Sequence, residues 1–200
     1  MTSSPLWDGR TLPVLARQLI EVGEGCILHP YRDSAGVPTI GWGSTVMPDG
    51  ARVTMQAAPL TQAEADALLD RQLEAEVRAV ASAITVEIPE CVAAALVDFS
   101  HNLGLHALAG STIRKMILAG RCDLAADQLS CWVEADGRID LGLMRRRELE
   151  RRVWLGAEVG AAHEAAWAMT EAALMPAYHK AISDAAAWSA GRGASLTAAT

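Results

Sequence analysis

One stretch of the chain restricts the fold more than any other, because it is the only part patterned for β structure. Residues 28–53 are rich in glycine and proline, with the β-favouring residues Val37, Thr39, Ile40 and Trp42 between them. This pattern predicts a small antiparallel β-hairpin region. Elsewhere the apolar residues, which make up 51% of the chain and include many alanines, favour helices. The expected fold class is therefore α+β, mainly helical, with one small antiparallel β-hairpin region.

Capping residues and breakers divide the helical part of the chain. Thr61 and Glu64 have the spacing of a capping box, and Pro89 suits the first turn of a helix. A turn is expected at residues 135–137. The helices predicted from these signals cover residues 11–22, 61–83, 89–105, 111–120, 123–133 and 141–155.

The chain divides into a main domain and a C-terminal helical extension. Residues 1–156 are expected to form one domain, long enough to bury a substantial core. Residues 157–190 are rich in alanine and are predicted to form one or two amphipathic helices, interrupted near Pro176. The tryptophans of this extension favour packing, either against the main domain or in self-association. Residues 191–200 are expected to be disordered.

Charge and composition exclude several classes of function. The net charge of −7 argues against nonspecific nucleic-acid binding, and it also counts against a partner as anionic as a bacterial wall. The four cysteines form no CxxC pair and have no histidine at metal-ligand spacing. Free thiols are therefore predicted, with no metal and no other cofactor.

The hydropathy pattern gives an expectation about membranes and export. No stretch approaches about 18 uncharged apolar residues, so stable membrane insertion is not expected. The N-terminus lacks a basic region followed by an apolar run, so synthesis in the cytoplasm without a signal peptide is expected.

The candidate catalytic residues are Glu24, Asp33 and Thr39. Glu24 lies where the first predicted helix ends, and Asp33 and Thr39 lie in the hairpin region. A helix end that faces a small sheet forms a cleft, and this spacing can place the two carboxylates on its opposite walls. Glycoside hydrolysis needs such a pair, one protonated to donate to the leaving oxygen and one ionised to activate water. The pattern alone also fits an exposed glutamate beside an ordinary turn that contains Gly36.

The spacing of these residues resembles the catalytic pattern of a known family. In the phage-type (T4/P22-like) lysozymes of glycoside hydrolase family 24, eight residues separate a glutamate from an aspartate, and five more separate that aspartate from a threonine. Glu24, Asp33 and Thr39 match this pattern. The resemblance covers about residues 11–156. Three stretches are also similar to the family, namely residues 31–43, 99–112 and 132–151.

This resemblance implies a two-lobed lysozyme-like fold around a saccharide cleft. The bond cut would be the β-1,4 link between N-acetylmuramic acid and N-acetylglucosamine. Glu24 would donate the proton, while Asp33 and Thr39 would orient water on the opposite face in an inverting reaction. Asn102 would contact the glycan. Trp42 is expected either to stack on a sugar or to pack within the hairpin.

Two further features need a structural account. Ser44 stands where many members of the family have a histidine, so a hydrogen bond from Ser44 is expected in place of any ion pair that the histidine makes. The arginines between positions 145 and 152 are expected either to bind acidic stem peptides or to form a solvated face with partners such as Glu148.

The resemblance also implies a partner and a place of action. The substrate would be bacterial peptidoglycan, reached in the periplasm after release from the host cytoplasm with the help of a holin. Two alternatives remain open. One is a glycan-binding module without activity. The other is a lytic transglycosylase, which needs one glutamate and no pair of residues to position water.

Overall fold

The computed structural model describes residues 4–33 and 35–192. Nine α-helices, two short hairpins and two irregular helical turns are assigned within these ranges. In chain order they are α1 (Val14–Glu24), β1 (Ile27–Arg32), β2 (Pro38–Gly41), α2 (Gln62–Ala83), α3 (Glu90–Leu103), α4 (Leu105–Gly110), α5 (Thr112–Leu118), α6 (Cys122–Ala125), a 3₁₀ turn (Ala126–Cys131), β3 (Glu134–Ala135), β4 (Arg138–Ile139), α7 (Leu141–Trp154), α8 (Val159–Trp167), α9 (Glu171–Ala187) and a π-type turn (Trp188–Arg192).

The capping signals locate the longest helix correctly. The Thr61 side chain accepts from the Glu64 backbone N–H, and the Glu64 carboxylate accepts from the Thr61 N–H, which confirms the predicted capping box of α2. The first helix begins later than predicted, with Pro13 as its N-cap. Thr11 does not cap it, because both its backbone N–H and its hydroxyl donate to Asp8.

The predicted hairpin is present, and a second one accompanies it. β1 and β2 pair antiparallel, with Tyr31 opposite Thr39. β3 and β4 form another two-residue hairpin around Asp136, whose φ is +51°. This second hairpin corrects the expectation of a single β region. Its strands are too short to show an alternation of apolar and polar residues. The predicted helix over 123–133 is likewise split into α6 and the 3₁₀ turn.

Two apolar clusters give the fold its two lobes, as expected. The smaller cluster joins the hairpin to the first half of α2, and the larger one surrounds α3. Leu68 on α2 lies in the smaller cluster, whereas Leu69, Leu73 and Val77 lie in the larger one, so α2 spans both lobes. Trp42 packs against both clusters.

The extension forms two helices, but not with the predicted break. The chain is interrupted at residues 168–170, where the Thr170 side chain caps α9, and Pro176 lies within α9. Proline in the second turn removes one intrahelical hydrogen bond. The helix continues through it, because Leu174 packs on the main domain and the Ala181 carbonyl accepts from Gln128.

Several polar contacts fix the extension to the larger lobe. The Gln128 amide donates to the Ala181 carbonyl at 3.1 Å, and Lys180 Nζ lies 2.8 Å from the Asp127 carboxylate. At the other end of the extension, Arg145 donates to the carbonyl of Met169. The extension is therefore docked, while self-association through it stays a prediction. Within the described ranges, every helix is too short or too polar to span a bilayer.

Candidate active site

Glu24 is the last residue of α1, as the sequence predicts. Gly25 follows with φ +68°, a backbone conformation that favours glycine, and this turns the chain from the helix into β1. The Glu24 side chain keeps 28% of its surface exposed, so a substrate can reach its carboxylate.

The Glu24 carboxylate is held by a guanidinium from α7. Arg146 Nη1 lies 2.5 Å from Glu24 Oε1. The same guanidinium donates to both oxygens of Asp98 on α3, through Nη2 at 2.8 Å and Nε at 3.2 Å. Three helices therefore meet at Arg146, and the orientation of Glu24 is fixed from the core of the larger lobe.

A buried network of charges lies behind this contact. Burial acts to raise the pKa of Asp98, but the Arg146 guanidinium outweighs it and lowers that pKa to about 2. Burial raises the pKa of Glu150 well above its ordinary value. Glu150 Oε2 is buried and has no hydrogen-bond partner among the described residues. Arg147 completes the network by donating to Glu150 Oε1 at 2.6 Å.

Asp33 lies in the turn between β1 and β2. Its Oδ1 accepts from the backbone N–H groups of Ala35 and Val37, at 2.9 and 2.8 Å. The turn expected from the sequence is therefore real, and Asp33 shapes it. One carboxylate oxygen serves the turn, and among the described residues no hydrogen bond reaches the other, Oδ2.

Thr39 and Tyr31 face each other across the hairpin. They are ladder partners, so their side chains lie on the same face of the sheet. Thr39 is buried, and its hydroxyl donates to the Val37 carbonyl at 3.0 Å. Burial raises the pKa of Tyr31, and the charges of Glu24 and Asp33 raise it further. Glu24 and Asp33 are thus both close enough to influence the Tyr31 phenol through their charge, and the hairpin pairs Tyr31 directly with Thr39.

The two predicted glycan contacts are placed differently. Asn102 is half-buried on α3, where its Oδ1 accepts from Arg147 Nη2 at 2.9 Å. The indole N–H of Trp42 donates to Asp66 at 2.8 Å, and its ring packs between the two apolar clusters. The packing expected for Trp42 is present, and sugar stacking by it stays a prediction.

The arginine-rich helix α7 is not a free basic patch, and only its last turn resembles the expected solvated face, where the part-exposed Arg152 pairs with Glu148 as predicted. Arg146 and Arg147 are buried. Every guanidinium of the cluster is bound to a protein acceptor: Arg145 to the Met169 carbonyl, Arg146 to Asp98 and Glu24, Arg147 to Glu150 and Asn102, Arg151 to Asp127, and Arg152 to Glu148. The periodicity that suggested surface pairs also fits an internal network, and the sequence gives no signal to separate the two.

Ser44 makes the local hydrogen bond expected of it. It is buried, and its hydroxyl donates to the Val46 carbonyl at 2.8 Å. An ion pair joins α1 to α2 nearby, because Arg17 Nη1 lies 2.5 Å from the Asp70 carboxylate. All four cysteines are free thiols.

Sequence reasoning missed three residues of this region, namely Asp98, His101 and Glu76. Asp98 and His101 are one turn apart on α3, and Glu76 on α2 contacts His101 at 3.0 Å. The one signal in the sequence that could have pointed to them is the helical spacing of Asp98 and His101, just before Asn102. Among the residues the structure describes, no group of three histidine, cysteine or acidic side chains is arranged to hold a metal ion.

Comparisons with known proteins identify the family of this chain. The family model "Phage lysozyme" matches residues 21–150. A SAR-endolysin of Bacteriophage PS119 is 38% identical over 132 residues, which are 66% of this chain and 76% of the relative. The endolysin of Salmonella phage P22 is 34% identical over 132 residues, which are 66% of this chain and 89% of the relative.

A solved structure extends the agreement to the fold. The endolysin from Escherichia coli O157:H7 phage FAHEc1 superposes with a TM-score of 0.68 at 33% identity, covering 73% of this chain and 94% of that one. The family model covers more than half of the sequence and the fold agrees with it, so the chain belongs to the phage lysozyme family.

Proposed function

We propose that this protein is an endolysin-type muramidase, which hydrolyses the β-1,4 bond between N-acetylmuramic acid and N-acetylglucosamine in bacterial peptidoglycan. The observation that supports it best is the Glu24 carboxylate, which is part-exposed at the end of α1 and held by Arg146. Asp33 lies in the turn of the hairpin that follows this helix, and the charges of both carboxylates raise the pKa of Tyr31. Two carboxyl groups in unequal surroundings are what glycoside hydrolysis requires.

In this mechanism Glu24 donates its proton to the glycosidic oxygen as the bond breaks. Arg146 then faces the carboxylate that is formed, and stabilises it without moving, because Asp98 already fixes the guanidinium. The acid is therefore oriented before substrate arrives, which removes a reorganisation step from the reaction.

Asp33 and Thr39 would hold the attacking water by accepting one hydrogen bond each from its two O–H groups. Asp33 Oδ1 is occupied by the turn, and Oδ2, which accepts no hydrogen bond from the residues that the structure describes, would bind the water. The Thr39 hydroxyl gives its own proton to the Val37 carbonyl, so its oxygen is left as an acceptor. A water bound to both acceptors points its lone pair away from them, toward the anomeric carbon, as inversion requires.

Asn102 is suited to bind the glycan as a donor. Arg147 occupies the side-chain oxygen of Asn102 and thereby fixes the amide orientation. The Nδ2 group makes no hydrogen bond to the described residues, and it can donate to a sugar hydroxyl or acetamido oxygen. Trp42 can add a stacking surface only on the part of its ring that the two clusters leave uncovered.

The site of action would be the periplasmic peptidoglycan of a bacterial host, with access assisted by a holin. Support for the periplasm comes from relatives that are endolysins, several of them named SAR-endolysins, while access through a holin stays a prediction. The net charge of −7 does not oppose this, because binding to the neutral glycan backbone depends on local contacts rather than on overall charge.

The Glu24→Gln variant tests the proposal. Glutamine keeps the shape of the side chain and an acceptor for Arg146, but it cannot donate the proton. We expect about a 1,000-fold loss of lysis of permeabilised Gram-negative cells and of reducing-end release, with the fold retained. Glu21→Gln, one turn earlier on α1, is the matched control and should stay active. Lysis by Glu24→Gln at the wild-type rate would rule out the assignment.

Mass spectrometry of the products separates the two alternatives from hydrolysis. Reducing muramic acid ends are expected. Anhydromuramic ends would indicate a lytic transglycosylase. Binding to peptidoglycan without any product would indicate a glycan-binding module.

A further inference from the structure

A second ionisable pair joins α2 to α3, one helical turn from Asp98, which shares the Arg146 guanidinium with Glu24. His101 Nδ1 is 3.0 and 3.2 Å from the two carboxylate oxygens of Glu76. Only 12% of the His101 side chain and 16% of the Glu76 side chain are exposed. A histidine held by both oxygens of a half-buried carboxylate is built to carry a positive charge.

The charged groups around this imidazole come from four helices. Glu76 contacts it from α2, and the charges of Asp98 on α3 and of Glu24 at the end of α1 act on it as well. Arg146 from α7 contacts two of these carboxylates, Glu24 and Asp98. His101 and Arg146 therefore both supply positive charge to this group of carboxylates.

Its neighbours decide the charge state of His101. Burial acts to lower the pKa of His101, but the Glu76 hydrogen bond and charge, helped by Asp98 and Glu24, raise it above its ordinary value of 6.5. The imidazolium is therefore present at and below pH 6.5, and it is lost as the pH rises through the raised pKa.

We propose that His101, held by Glu76, is a positioning residue for the proton-donating Glu24, and that its positive charge supports the carboxylate which Glu24 becomes during bond cleavage. This inference rests on the proposed role of Glu24. Arg146 divides its charge between Glu24 and Asp98, so a second cation stabilises charge that develops only as the proton leaves. Such a group acts on kcat rather than on KM.

Two substitutions on the opposite sides of the contact test it. We expect His101→Gln to lower kcat by about tenfold with KM unchanged. In wild type, kcat should fall as the pH rises above about 6.5, through the titration of His101. In His101→Gln this decrease of kcat with pH should be absent. In Glu76→Gln the decrease of kcat should begin at lower pH, because the carboxylate that raises the pKa of His101 is gone.

A matched control lies two residues before Glu76, on α2. Glu74 is exposed and faces Arg78 at 3.8 Å, so Glu74→Gln should keep the wild-type kcat and pH profile. Proton NMR titration of the imidazole in wild type and Glu76→Gln measures the His101 pKa directly, and it does not depend on activity. Thermal unfolding at each pH separates loss of fold from loss of rate.

The outcomes are distinct from those of the Glu24 test. If Glu24→Gln is inactive but His101→Gln keeps the wild-type kcat and pH profile, the muramidase proposal stands and this inference is wrong. The inference is also wrong if kcat of Glu76→Gln falls over the same pH range as in wild type, or if the His101 pKa is the same in wild type and Glu76→Gln.

Discussion

Arg146 bridges an accessible carboxylate and a buried one. Its Nη1 lies 2.5 Å from Glu24 Oε1, and its Nη2 lies 2.8 Å from Asp98 Oδ1. Asp98 is fully buried on α3, so the guanidinium cannot swing toward solvent without leaving a buried charge unpaired. The core of the larger lobe thereby sets the direction of the side chain at the end of α1.

Arg146→Met should reduce both stability and activity. Removing the guanidinium leaves Asp98 buried and uncompensated, so we expect the free energy of unfolding to fall by about 3–5 kcal/mol. Arg146→Lys keeps the charge but loses the planar fork, and an intermediate loss is expected. Urea unfolding and peptidoglycan turnover measure the two effects. Arg78→Met, at an exposed position of α2, should change unfolding by less than about 0.5 kcal/mol.

Asp98 should also control stability at acid pH. Its pKa is lowered from 3.8 to about 2, so its stabilising effect is complete above pH 3.8 and is lost as the pH falls toward 2. The difference in unfolding free energy between wild type and Asp98→Asn should therefore shrink by about 2 kcal/mol between neutral pH and about pH 2. Chemical denaturation at a series of pH values measures this. A difference that stays constant across the series would contradict the assigned pKa.

The sequence predicted those parts of the fold that depend on interactions between residues close together in the chain. Thr61 and Glu64 form their capping box within four residues, so no tertiary contact is needed to recognise it. The fixed spacing of Glu24, Asp33 and Thr39 is also recognisable from the sequence alone, because the helix end and the hairpin that carry them are adjacent in the chain.

The remaining features depend on contacts that are distant in the sequence. Arg146 reaches Glu24 across 122 positions, and nothing in the pattern of α7 separates a buried arginine from an exposed one. Pro176 predicted a break, but the helix passes through it because the buried face of α9 packs on the main domain. His101 received no role, since its partner Glu76 lies on another helix.

The docked extension should contribute to the stability of the whole protein. Leu174 on α9 is buried against Val133 and Met144 of the larger lobe. We expect Leu174→Ala to lower the free energy of unfolding by about 3 kcal/mol. Ile182, which is exposed on the same helix, provides the control, and its replacement by alanine should cost less than about 0.5 kcal/mol. Equal losses in both variants would mean that the extension folds without docking.

Asp33 offers a way to separate the shape of the turn from its charge. In Asp33→Asn the amide oxygen can still accept from the Ala35 and Val37 N–H groups, so the turn should persist, while the negative charge that activates water is lost. We expect about a 100-fold loss of kcat with unchanged unfolding. Asp33→Ala removes both functions, so it should lose the same activity and also destabilise the protein by about 1 kcal/mol.

The comparison of the two Asp33 variants decides between the two roles considered for this residue. If Asp33 only shapes the turn, Asp33→Asn will keep most of its activity and Asp33→Ala will lose both activity and stability. If its charge holds the water, both variants will be equally inactive, and only Asp33→Ala will be less stable. Measuring kcat and urea unfolding on the same preparations gives both answers, because the turn depends on Oδ1 and the proposed water contact depends on Oδ2.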